Sequence, residues 1–78
     1  MTYSSFITYV ELKKEFSGYV DGKDFKLLNI DNDNIVVLIG REYSRLVPHD
    51  KVRDYKIYND KTFKEMFEEG IIELTNMY

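Results

Sequence analysis

The sequence predicts a small α+β domain, an antiparallel sheet flanked by two short helices, and three observations carry that expectation. Thr8-x-x-Glu11 and Thr62-x-x-Glu65 have the form of helix-opening capping boxes, each followed downstream by a glycine, Gly18 and Gly70. Between them lie four segments rich in aliphatic, β-branched and aromatic residues, separated by short polar stretches. The chain has 78 residues and no cysteine, which allows one modest core held by packing alone, to which an oligomer or bound partner can add.

Taken in order, the first capping signal predicts a helix over 9–17, with Ile7 and Leu12 placed for a hydrophobic staple and Gly18 as its stop. A strand is the competing reading, because Thr8, Val10, Leu12, Lys14 and Phe16 also alternate. Strands are expected over 25–30, 35–39, 43–47 and 53–58. Asp31-Asn-Asp-Asn34 and Gly40-Arg-Glu42 serve as the first two turns. Residues 35–39 (IVVLI) show no polar alternation, which predicts a central strand covered on both faces, with a helix on one of them. The second capping signal predicts a helix over 61–69, with Asp60 as the alternative cap, and 71–74 can add a last short strand.

Leu46-Val-Pro-His-Asp-Lys-Val52 resembles the corner near the end of SH3-like barrels, where a strand passes through a single 3₁₀ turn in a Val-Pro-x-x-x-Val pattern. Pro48 ends the strand, and Val47 and Val52 are placed to point inward. The resemblance implies a small barrel-like sheet. The aromatic peptide-binding motif that signalling SH3 domains carry early in the chain is absent, so proline-rich ligands are not implied.

The opening Met-Thr-Tyr-Ser-Ser has neither the basic nor the long apolar run of a signal peptide, and no apolar stretch approaches a membrane span. A cytoplasmic protein with no membrane association is expected. The net charge is −3, which disfavours a dedicated nucleic-acid binder, yet the charge is uneven. Residues 41–56 hold five basic side chains against three acidic, and 57–78 hold two basic against five acidic.

No catalytic, metal or cofactor constellation is expected. Asp31 and Glu42 have the twelve-residue span of a calcium loop, but Val36 stands where that loop needs glycine, and the segment reads as a hairpin. His49, the one histidine, lacks a partner with which to build a nucleophilic site and reads as a turn residue. Glu65, Glu68 and Glu69 read as the wet face opposite Phe63, Met66 and Phe67. The candidate binding surface is Arg41, Tyr43, Arg45, His49, Arg53, Tyr55 and Tyr58, because Arg and Tyr combine apolar area with directed hydrogen bonds. The plainer alternative packs Tyr55 and one other tyrosine in the core and pairs the arginines with Glu42, Asp50 and Asp54.

The expected function is protein–protein interaction without catalysis, by an adaptor or inhibitor that occupies a partner's surface. The Ile, Lys, Asn, Asp and Tyr content suits an AT-rich genome, and the profile resembles small acidic phage proteins that block host nucleases or polymerases. Glu65, Glu68 and Glu69 would form the acidic strip of such a protein. The alternative is a nucleic-acid-binding barrel using residues 41–56, where aromatic rings stack on bases and arginines reach phosphates.

Overall fold

The computed structural model describes residues 1–41 and 43–78. The first helix, α1, covers Tyr3–Glu11 and lies earlier than the expected 9–17. Tyr3, Phe6, Ile7 and Val10 recur at the i, i+3, i+4, i+7 spacing of one helical face, and the last three are buried. The cap is Thr2, whose side chain accepts from the Ser5 amide at 3.2 Å. Thr8 sits inside the helix and donates to the Ser4 carbonyl at 2.9 Å, while Glu11 turns to Arg53. Leu12 is 64% exposed, so no staple forms. Lys13, at φ 65°, closes the helix: its amide donates to the Val10 carbonyl and that of Lys14 to Tyr9, the paired bonds of a Schellman ending.

The strands are β1 (Phe16–Val20), β2 (Lys23–Asn29), β3 (Asn34–Ile39), β4 (Tyr43–Pro48) and β5 (Ile72–Met77). Among the described residues they form one antiparallel sheet in the order β4-β3-β2-β1-β5. Asp21 and Gly22, both at positive φ, make the tight primed turn between β1 and β2. Asp31 Oδ1 accepts from the Asp33 and Asn34 amides at 2.8 and 2.9 Å and so shapes the turn into β3. Gly18 does not stop a helix. It lies within β1 beside the register shift against β5, where a Cβ would stand 1.9 Å from the Glu73 carbonyl oxygen. Only glycine permits that backbone approach.

After β4 the chain makes the expected 3₁₀ turn, His49–Lys51, and Val47 and Val52 are both buried around it. The expected strand over 53–58 does not form. Ile57 and Tyr58 are adjacent and both buried, and Asn59 and Asp60 at positive φ turn the chain so that Tyr58 and Lys61 form only an isolated bridge. The second helix, α2 (Phe63–Glu68), has the capping box of Thr62 and Glu65, with Thr62 rather than Asp60 as cap. Gly70, at φ 69°, ends it, and the Ile71 amide donates back to the Met66 carbonyl.

One face of the sheet holds Phe16, Val20, Phe25, Leu27, Ile35, Val37, Ile39 and Val47, all buried against the helices. Phe6 is the hub of that core, with ring centroids 4.9 Å from both Phe16 and Phe63 and 5.2 Å from Phe67. Burial along β3 alternates, so IVVLI is fully covered on one face only, and the expectation of cover on both fails: α1 and α2 pack on the same side.

Candidate interaction surface

The residues singled out from the sequence do not converge. Arg41 is exposed in the β3–β4 turn; Glu42 and the Tyr43 side chain lie outside the described residues. Arg45 stacks its guanidinium 5.3 Å from the ring centre of Tyr55, which is half-buried and packs on the core. Arg53 bonds to Glu11 at 2.8 Å, a carboxylate that sequence proximity would not have suggested. Tyr58 is only 8% exposed, and its hydroxyl accepts from Lys23 Nζ at 3.0 Å. Glu65 caps α2 and lies 3.6 Å from Lys56, Glu69 meets Lys61 at 2.7 Å, and Glu68 is exposed. Hydrogen bonds from Thr62 hold the Glu65 carboxyl below its ordinary range, the backbone amide contributing most.

His49 joins a polar hub. Asn29 takes the Glu15 carboxylate on its own amide at 2.8 Å and donates its side-chain NH₂ to the Lys13 carbonyl at 2.7 Å. That donation turns Asn29 Oδ1 toward His49 Nε2, 3.0 Å away, so the imidazole must carry its proton on Nε2. Nδ1 is then an acceptor, buried without a partner among the described residues. Desolvation, followed by the charge of Lys13, pushes the His49 pKa down, against smaller opposing contributions from Asp31 and Asp33. The hub pins the end of α1 to β2 and the 3₁₀ turn, a structural role. Among the described residues, no group of three or more histidine, aspartate or glutamate side chains is placed to hold a metal ion.

The surface that does form a continuous unit is the other face of the sheet. Leu28, Val36 and Leu46 stand directly opposite one another across β2, β3 and β4. Leu38 lies beside this row on β3, opposite Lys26 and Ser44, and Ile30 extends it past the end of β2. Leu46 and Ile30 are each 57% exposed, and Leu28, Val36 and Leu38 are half-buried. Cross-strand aliphatic contacts tie the row together, but neither helix covers it. Lys26 and Ser44 border it on one side and Asn34 on the other, an apolar centre with a polar rim. None of these aliphatic residues was singled out from sequence; the signal was the absence of alternation in residues 35–39, taken there as burial.

Fold and surface together define a small α+β domain with one covered and one open sheet face. Searches of family models, curated proteins and solved structures found no match to this chain.

Proposed function

We propose that this protein is a small non-enzymatic interaction module, an adaptor or inhibitor that binds an apolar protein surface with the outer face of β2, β3 and β4. The observation that carries this reading is the Leu28–Val36–Leu46 row, aliphatic on three adjacent strands and left open by both helices. Contiguous exposed apolar area is costly in water and marks surfaces that are covered in use. An SH3-like reading of the sheet is supported by the strand order β5-β1-β2-β3-β4 and by the 3₁₀ turn between Pro48 and Val52, with residues 53–71 inserted ahead of the last strand. The basic segment is largely engaged within the domain: Arg53 with Glu11, Lys56 with Glu65, Arg45 with Tyr55.

Leu46→Glu puts a charge at the exposed β4 end of the row. Tagged wild-type protein should retain specific proteins from nuclease-treated lysate of its source, and the Leu46→Glu variant should lose them. Equal retention by the variant would refute the assignment of the surface, and capture that disappears with nuclease would replace it with nucleic-acid binding.

A further inference from the structure

Among the described residues no strand pairs with the outer edge of β5, and that edge is a second surface, separate from the open sheet face. The bond from Asp21 N to Ile71 O, at one end of the β1–β5 ladder, sets the alternation of hydrogen-bonded pairs along it as far as the register shift between Gly18 and Ser17. Tyr19 and Glu73 are then a hydrogen-bonded pair, and the backbone groups of Ile72 and Leu74 point away from β1 toward the unpaired edge. Proteins usually blunt such edges with proline or inward-pointing charge. The other edge strand, β4, carries Arg45 and ends at Pro48, whereas β5 reads Ile-Glu-Leu-Thr-Asn-Met and has neither lysine nor proline, its one irregularity being the register shift at Thr75, past Ile72 and Leu74.

Two recesses follow one another along β5. One, of about 320 Å³, is lined by Met1, Phe67, Ile72, Glu73 and Leu74. The next, of about 220 Å³, is lined by Met1, Phe16, Leu74, Thr75, Asn76 and Met77. Met1 and Leu74 are shared and divide them, so the recesses succeed each other about two residues along the strand, the repeat of side chains on one face of an added strand. Glu73 is exposed near the start of this edge and makes no ion pair among the described residues.

We propose that the edge of β5 accepts an extended segment of a partner protein as a sixth, antiparallel strand. The segment carries aliphatic side chains at i and i+2 and basic residues at its C-terminal end, opposite Glu73. Charge disfavours a second copy as occupant. The self-pairing that matches Ile72 with Leu74 sets Glu73 against Glu73, a like-charge pair directly across the ladder.

The probe is a labelled peptide, Thr-Leu-Thr-Leu-Lys-Lys with blocked ends, and the readouts are fluorescence anisotropy and amide chemical shifts of the full chain. The expected result is saturable binding with shifts concentrated at Ile72, Leu74 and Met77. Binding should be lost when alternate peptide amides are N-methylated and should weaken at least fivefold in Glu73→Lys. No binding at millimolar peptide, undiminished binding of the methylated peptide, or shifts confined to Leu28, Val36 and Leu46 would overturn the proposal. Shifts at β5 that depend on protein concentration alone would assign the edge to a second copy instead. Leu46→Glu should leave peptide binding unchanged, which separates this site from the open sheet face.

Discussion

At the residue scale, His49 has the largest consequence for conditions of use. Its Nδ1 is buried without a partner among the described residues, so a second ring proton would have nowhere to donate, and the folded state holds its pKa below the ordinary 6.5. The unfolded chain therefore takes up a proton first as pH falls, and the stability contributed by neutral His49 is complete above about 6.5 and is lost below it. Asp31 and Glu65 are also depressed, Asp31 mainly by its bond from the Asp33 amide, but as carboxylates they act in a more acidic window. The urea midpoint should fall between pH 7.5 and 5.5, and His49→Gln, which keeps a donor toward Asn29, should flatten that fall. An equal slope in the variant would place the titration elsewhere.

At the scale of elements, the two Thr-x-x-Glu signals had different fates for a physical reason. Both have the same sequence form, yet a capping box works only where the following apolar positions meet a core. After Thr62 they do, through Phe63 and Met66. After Thr8 they do not, because Leu12 faces water and Phe16 belongs to β1, whereas the face that starts at Tyr3 packs on Phe16, Phe63 and Phe67. Thr2→Ala should therefore cost about 1 kcal/mol of stability by denaturant unfolding, while Thr8→Ala changes it by less than about 0.5 kcal/mol. The reverse order would contradict the position of α1. The Tyr3, Phe6, Ile7, Val10 period and the Asp21-Gly22 turn were both legible in the sequence, and both were masked by reading Gly18 as a helix stop.

For the whole molecule, the contrast between its two sheet faces is the main point. Phe6 is fully buried where α1, α2 and β1 meet, and truncation to alanine leaves a cavity among Phe16, Phe63 and Phe67. Phe6→Ala should cost about 4 kcal/mol, a large part of the roughly 5–15 kcal/mol that holds a domain folded. Leu46→Glu on the open face should stay within about 0.5 kcal/mol of wild type while abolishing partner capture. Urea unfolding of the two variants measures both; a large loss from Leu46→Glu would mean that the outer row is structural rather than a docking surface.

The sequence by itself determined the α+β class, β2, β3 and β4 to within two residues, the capping and termination of α2, and the 3₁₀ turn between Val47 and Val52, because the three strands follow one another through short turns and the cap, helix stop and 3₁₀ turn rest on neighbouring residues. The tertiary structure decided what depends on partners distant in the chain. Ile57 and Tyr58 close the core instead of forming a strand, and Arg53 finds Glu11 rather than the acids beside it. Gly18 is required by the Glu73 carbonyl. Above all, the side on which both helices settled made half of residues 35–39 core and left the other half as open surface; a uniformly apolar run is compatible with either, and only packing distinguishes them.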